Sequence, residues 1–271
     1  MRVAVATIVR GRERHLERQA HAVAAMDPSP ADYVVVSLDA APPSVAGATV
    51  LHRPVAADTP LPLAAARNAA IAAAANADLV VCLDADCLPA PDFLSPLLAA
   101  ARAIRTDALL AGPVGRLDLL PEERDAPSAE ELAAARSAAH HGPRPVPPPG
   151  AVVVEPRVEL FWSLAFAVTP EAHARIGGFD ESYVGYGAED TDYAFAARAA
   201  GVGLSWVGGA WTYHQHHPVS SPPREHLAEI VANAVRFRAR WGHWPMEGWL
   251  RAFAAEGLVE WEPDGTRLRR V

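Results

Sequence analysis

The first 115 residues alternate short apolar runs with longer helix-forming stretches. The runs at 3–9, 33–38 and 79–83 are rich in valine and bounded by polar residues, so each is predicted as a strand. Stretches at 15–26, 61–75 and 91–104 separate and follow them and read as helices; Pro60 and Pro62 stand near the start of the second, where proline is tolerated. This order predicts an α/β fold with a mostly parallel central sheet flanked by helices. In such sheets ligands bind beyond the carboxyl ends of the strands, and Asp39 and Asp84 close the second and third runs.

The pattern breaks at 120–150, where an acidic, alanine-rich piece precedes His-His-Gly-Pro-Arg-Pro-Val-Pro-Pro-Pro-Gly. A flexible loop with polyproline II character near its end is expected there, as a surface loop rather than a lid. Order returns at 152–154 and in a strand at 161–168. Thr169-Pro170 then supplies an N-cap and a first-turn proline, and Gly177-Gly178 closes the short helix that follows. A helix is predicted at 189–200, ended by Gly201, and short strands at 204–207 and 210–213. Farther on, Leu227, Ile230, Val231, Ala234 and Trp241 share one helical face, with Arg236, Arg238 and Arg240 opposite and Gly242 as the stop. A second short helix near 246–255 and a terminal turn or hairpin at Asp264-Gly265 complete the pattern.

Composition narrows the function. With 271 residues, 51% of them apolar, the chain can bury a core without cross-links. No apolar run approaches the roughly 18–20 residues that span a bilayer, and the N-terminus reads as a first strand rather than a signal peptide. Cys82 and Cys87 lie in and just after one apolar run, which argues against a disulfide framework and fits a cytoplasmic location, with peripheral membrane contact left open. A formal charge of −8 argues against a general nucleic-acid-binding surface. An acidic protein that handles a phosphate-rich ligand needs local cations, so metal-ligand patterns gain weight.

Three constellations carry chemistry. The apolar strand Val80-Val81-Cys82-Leu83 runs into Asp84-Ala85-Asp86. Carboxylates at i and i+2 of an extended chain point to one side and repel unless a cation lies between them or one is protonated. Mg²⁺ or Mn²⁺ suits such oxygens, and the bland alternative is a solvated turn. The second is Gly177-Gly178-Phe179-Asp180-Glu181 followed by Gly185-Tyr186-Gly187-Ala188-Glu189-Asp190-Thr191-Asp192. Its glycines allow close backbone approach to a ligand, and its acids open a helix, where they serve as caps or as a general base. In the third, Trp211-Thr212-Tyr213-His214-Gln215-His216-His217, His214 comes first after the strand and is the expected metal ligand; His216 and His217 are solvated or line the site.

In this order the three blocks resemble the GT-A glycosyltransferases of family 2 type, and the middle block resembles their C-terminal galactosyltransferase-type module. The resemblance covers residues 1–217 and implies a GT-A catalytic domain there, divided into a nucleotide-sugar-binding half at 1–115, a flexible loop at 116–151 and an acceptor and metal half at 152–217. A C-terminal helical extension occupies 218–271. By resemblance, Asp86 and Asp84 hold a divalent metal with His214, and Asp190 is the catalytic base. Glu189 and Tyr186 contact the acceptor; Thr7, Arg10, Asp39, Arg67, Asn68 and Asp84 contact the nucleotide sugar. Tyr186 stands where the module often carries Trp, and Arg10-Gly11-Arg12 departs from the commonest first-strand loop.

The implied activity is inverting, metal-dependent transfer of a hexose from a nucleotide-diphosphate sugar to a hydroxyl acceptor: a glycan, a lipid-linked sugar or a small molecule. UDP is favoured over GDP and dTDP, Mn²⁺ or Mg²⁺ is the cofactor, and no nucleic acid is involved. The alternatives are a sugar-phosphate nucleotidyltransferase, which would need a glycine-rich basic loop after the first strand, and a non-catalytic nucleotide-sugar-binding module.

Overall fold

Alternation along the strands sets the layers. In the computed structural model, which describes residues 1–104, 108–140 and 142–271, β1 (Val3–Val9) points Val3, Val5 and Val9 to one face of a sheet and Ala4 and Ala6 to the other. Neither face meets water, which is why the run is apolar throughout. The first face packs against α1 (Glu13–Ala24) through Leu16, Ala20 and Val23. After β2 (Asp32–Ser37) and β3 (Thr49–His52), α2 (Leu63–Ala73) covers the second face with Ala64, Ala66, Ala70 and Ile71, small enough to let the helix lie close.

The chain then forms β4 (Leu79–Asp84), the short β5 (Cys87–Pro89), α3 (Leu94–Ile104), β6 (Ala108–Ala111) and β7 (Val114–Arg116). Next come α4 (Ala129–Ala139), β8 (Val152–Glu155), β9 (Ala165–Val168), α5 (Pro170–Ile176), α6 (Glu189–Ala199), β10 (Gly203–Val207) and β11 (Thr212–His214). The main sheet runs β3-β2-β1-β4-β9-β6-β10-β8. Its first four strands are mutually parallel, β10 is parallel to β6, and β9 and β8 are antiparallel to their neighbours. A second sheet, β5-β11-β7, stands at the carboxyl end of β4. The mostly parallel α/β architecture of the sequence reading is therefore present, with β9 reversed at its centre.

The extension consists of α7 (Leu227–Trp241), α8 (Glu247–Ala255) and the hairpin β12 (Val259–Trp261) and β13 (Leu268–Arg270) around Asp264-Gly265. It has its own apolar cluster, including Ile230, Ala234, Leu250 and Phe253, while Phe237 reaches into the catalytic core. Among the described residues no helix is long and apolar enough to cross a membrane.

The segment expected as a flexible loop at 116–151 differs. It holds α4, whose N-terminus is closed by a capping box: Ser128 Oγ accepts from Glu131 N–H and the Glu131 carboxylate accepts from Ser128 N–H. Arg136 of α4 donates to the Tyr213 hydroxyl, and Arg14 and Arg18 of α1 donate to carbonyls at 121, 122 and 124. His141 lies outside the described residues. Strand β3 carried no expectation, and the strand expected at 210–213 is displaced to Thr212–His214.

Candidate active site

The acid turn and the histidine strand meet because β5 and β11 pair antiparallel, with Cys87 opposite His214. The Gln215 N–H extends the ladder to the Asp86 carbonyl at 2.8 Å. Asp86 thereby comes to lie between two imidazoles: its Oδ1 is 3.6 Å from His214 Nε2 and its Oδ2 3.4 Å from His217 Nε2. Potential ligand atoms of Asp86, His214 and His217 all fall within 4.8 Å of one another. Arg12, just before α1, reaches Asp86 Oδ2 at 3.2 Å. Burial opposes ionisation of Asp86, but the His217 hydrogen bond and the Arg12 charge outweigh it and hold the carboxyl at about 2. Burial lowers the His214 pKa, which keeps its imidazole neutral and able to ligate.

Asp84 belongs to a different group. The strand ends there and the chain turns, so the two carboxylates do not share one set of partners. Asp84 Oδ1 accepts from Arg67 Nη2 at 3.1 Å, and Arg67 Nη1 reaches Glu189 Oε1 at 2.9 Å. Arg67 also lies over the Phe179 ring, 5.6 Å from its centroid. This buried carboxylate–guanidinium–carboxylate bridge ties β4, α2 and the start of α6 together. Burial, reinforced by the Asp190 charge, pushes Glu189 up to about 7 against the pull of Arg67. Burial and the Asp86 charge likewise raise Asp84.

Asp190 is half-buried in the first turn of α6. Its Oδ1 accepts from the Thr191 N–H at 2.7 Å, and its Oδ2 takes only a long 3.4 Å contact from the Ser163 N–H. The carbonyl of the same peptide unit, Trp162 C=O, accepts from Arg144 Nη2 at 3.3 Å, so one peptide joins Arg144 to Asp190. Arg144 is held beneath Trp162, 4.1 Å from its ring centroid, and burial lowers its pKa to about 10 even though Asp190 opposes the shift. Tyr186 is exposed, yet its phenol is pushed up to about 12 by burial of that end and by the charges of Asp190, Glu189, Asp84 and Asp86.

The remaining expected nucleotide contacts have protein partners. Thr7 is buried and donates to Gln19 Oε1 at 2.8 Å. Asn68 pairs both ends of its amide with Phe179, N–H to Oδ1 at 2.8 Å and Nδ2 to C=O at 2.9 Å, fixing the Gly-Gly-Phe-Asp-Glu loop. Asp39 Oδ1 accepts from the Gly11 N–H at 2.7 Å, and Arg10 Nη2 donates to the Ala56 carbonyl at 3.3 Å while its buried Nη1 finds no partner among the described residues. Asp39 and Arg10 thus join the first-strand loop to the edge of the sheet, beside the carboxyl ends of β1 and β2.

Sequence reasoning passed over three residues here and left a fourth, His217, open between solvent and the site. Fully buried Gln19 uses its whole amide: Oε1 accepts from Thr7 and Tyr33, and Nε2 donates to the Asp84 and Cys87 carbonyls at 2.7 and 2.8 Å. It holds the acid turn from beneath. His217 joins His214 on Asp86. Arg12 neutralises that carboxylate. Buried Asp192 accepts from Trp241 Nε1 at 2.7 Å and from Arg240 at 2.8 Å, anchoring α7. The i+3 spacing of His214 and His217 was the visible signal for the second; the others needed the register.

A mostly parallel sheet with an acid turn at the carboxyl end of β4, a carboxylate–histidine group able to hold a metal and an acid in the first turn of α6 is the arrangement expected of a GT-A glycosyltransferase. Residues 23–127 match glycosyl transferase family 2, and residues 154–218 match the N-terminal domain of galactosyltransferase. The chain thus carries a glycosyl transferase family 2 segment in its N-terminal half and a galactosyltransferase-like module in its C-terminal half, consistent with a GT-A glycosyltransferase of family 2 type. The fold is similar to that of S. aureus TarS (TM-score 0.57, 14% identity, 88% of this chain and 40% of that one). It is likewise similar to S. aureus TarS 1-349 in complex with UDP-GlcNAc (TM-score 0.58, 13% identity, 88% of this chain and 67% of that one). For TarS 1-349 in complex with UDP the TM-score is 0.57 at 15% identity, over 88% of this chain and 66% of that one. The chain thus spans less than half of the full TarS chain and about two thirds of its 1-349 segment. Among curated proteins no significant match is found.

Proposed function

We propose that the chain transfers a sugar from a UDP-sugar to a hydroxyl acceptor, with inversion, using Asp190 as general base. The observation that carries this reading is the Asp86, His214 and His217 group at the carboxyl end of β4, with Asp190 presented in the first turn of α6 and the Asp86 and Asp190 charges both acting on the Tyr186 phenol. One carboxylate and two imidazoles form a donor set that suits Mn²⁺ better than the oxygen-seeking Mg²⁺, and the ionised Asp86 and neutral His214 are in ligating form. When bound, the cation supplies Lewis-acid neutralisation of the diphosphate leaving group. Arg12 and Arg116, the latter opposite His214 in the β7–β11 register, add positive charge beside it in an otherwise acidic protein.

Asp190 Oδ2, the more weakly held oxygen, takes the proton of the acceptor hydroxyl while the Thr191 N–H keeps the carboxylate oriented. The Arg67 bridge fixes Glu189 and Asp84 on either side, so the helix that presents Asp190 is rigidly tied to the donor end of the sheet. UDP is the proposed nucleotide because UDP and UDP-GlcNAc occupy structures of similar fold.

Calorimetry with UDP, GDP and dTDP, in Mn²⁺, Mg²⁺ or chelator, tests the donor site; UDP binding that requires Mn²⁺ is expected, and no binding of any nucleotide refutes it. Asp190→Asn keeps that binding and loses about two decades or more of UDP-sugar turnover. Full turnover in the variant refutes the base.

A further inference from the structure

Both family matches end by residue 218, yet the chain beyond them grips Tyr186 by its N–H, its carbonyl and its ring. Glu229 Oε2 on α7 accepts from the Tyr186 N–H at 2.6 Å. The same oxygen lies 3.2 Å from His226 Nδ1, and the His226 ring stacks on the Tyr186 ring at a centroid distance of 4.7 Å and an angle of 22°. One helical turn on, Asn233 Nδ2 donates to the carbonyls of Val184 at 3.1 Å and Tyr186 at 3.3 Å. Trp249 of α8 stacks on Tyr186 at 5.8 Å and 26°.

The glycines on either side of Tyr186 are shaped for this grip. A Cβ at Gly185 (φ +78°) would meet the Glu229 carboxyl carbon at 2.5 Å, and one at Gly187 (φ +96°) would meet the Met246 sulfur at 3.0 Å. Left-handed backbone and close approach both call for glycine, and what approaches is the extension. Arg240 and Trp241 hold Asp192 at the other end of the same segment. Tyr186 meanwhile stays exposed, four residues before Asp190, and the charges of Asp190, Glu189, Asp84 and Asp86 act on its phenol.

We propose that the C-terminal extension determines acceptor specificity. Glu229 and Asn233 are positioning residues that set Tyr186, and the Tyr186–His226–Trp249 stack forms the wall beside which the acceptor, a pyranoside, places its apolar ring face with its hydroxyls toward Asp190. This rests on the transferase reading above. An aromatic wall next to carboxylates matches the two faces of a sugar ring, one of C–H groups and one of hydroxyls.

The test uses the full chain, Mn²⁺, and UDP-glucose, UDP-galactose and UDP-N-acetylglucosamine as donor probes. Release of UDP to water and transfer to a panel of p-nitrophenyl pyranosides are measured together. Glu229→Ala and Asn233→Ala should raise the acceptor KM about tenfold or more, because small displacements of a positioning group are amplified in rate, with donor hydrolysis and UDP affinity within about twofold of wild type. Glu229→Gln, whose amide oxygen still accepts from Tyr186, should restore transfer. Acceptor KM unchanged in both alanine variants overturns the proposal, as does parallel loss of hydrolysis and transfer, which marks general damage. Transfer by the wild-type chain to none of the pyranosides while it binds UDP refutes the pyranoside class. Absence of UDP binding and hydrolysis in the wild-type chain refutes the transferase reading, and this inference with it.

Discussion

Replacing Arg67 by Met keeps most of the side-chain stem and removes the charge that joins buried Glu189 to half-buried Asp84. The Arg67 side chain is 8% exposed and that of Glu189 7%, with contacts of 2.9 Å to Glu189 and 3.1 Å to Asp84. Removing one partner of a buried pair costs about 3–5 kcal/mol, chiefly through the charge left behind. Here two are left behind, against a total stability on the order of 5–15 kcal/mol for a folded domain. The loss depends on pH. Arg67 pulls the Glu189 pKa down against burial, so without it Glu189 holds its proton more tightly still; above about 7, where wild-type Glu189 is ionised, the variant must strand that charge or take up a proton, whereas below about 7 Glu189 already carries its proton in both chains. Urea unfolding of metal-free wild type and Arg67→Met, at about pH 8 and about pH 5.5, should therefore give a loss of about 3–5 kcal/mol at the higher pH and a clearly smaller one at the lower. Adding Glu189→Gln to the variant should recover part of the loss at the higher pH. A loss below about 1 kcal/mol, the size of an exposed pair, or one independent of pH, refutes the view that Arg67 holds the buried Glu189 charge.

Glu189 also sets a pH slope by itself. Its folded pKa of about 7 exceeds the ordinary 4.5, so in that window the folded chain binds the proton more tightly than the unfolded one and stability falls as pH rises. At about 1.4 kcal/mol per pH unit the full window amounts to about 3 kcal/mol, and Glu189→Gln should abolish it; a constant difference between variant and wild type across the window refutes the assignment. Gln19→Leu leaves two hydroxyls and the Asp84 and Cys87 carbonyls without their buried partner, at about 1–3 kcal/mol for each group that finds no other. The acid turn loses its support, so Mn²⁺-dependent UDP affinity, read by calorimetry, should fall about tenfold or more, and unchanged affinity would show that the turn holds its own shape.

The strands at the centre of the sheet were legible because their apolar runs are continuous and end in charged residues, as at Leu83-Asp84. Strand β3 was not: it is a four-residue edge strand with exposed Thr49 and His52, too short and too polar to show a period. Helix α4 carries a visible Ser128-to-Glu131 capping signature, but the proline-rich piece after it dominated the reading of the whole segment. At the site, Asp86, His214 and Asp190 stand out from residue type and order. The separation of Asp84 from Asp86 did not, because the i, i+2 rule assumes an extended chain and the strand stops at Asp84. Arg67 and Asn68 read as ligand contacts on an alanine-rich helix, and their protein partners could not be read there: one bridges Asp84 and Glu189 and the other clasps the backbone of Phe179. Partnerships across 111 and 122 positions of sequence exist only once the fold has brought the segments together.

Strand β9 lies between β4 and β6, although it follows both by more than 50 residues in the chain. During synthesis, β1 to β4 can assemble as soon as they leave the ribosome, but the outer edge of β4, which bears Val80 to Leu83, has no partner until residues 165–168 emerge. At translation rates of about 5–20 residues per second, that edge stays open for several seconds. The nascent chain thus carries an apolar strand edge of the kind that pairs wrongly with neighbours, and completion of the sheet waits on the module that also delivers Asp190. The two halves of the sheet are consequently committed in one late folding event, which gives chaperone capture a defined interval and makes separate expression of the first 115 residues a route to aggregation.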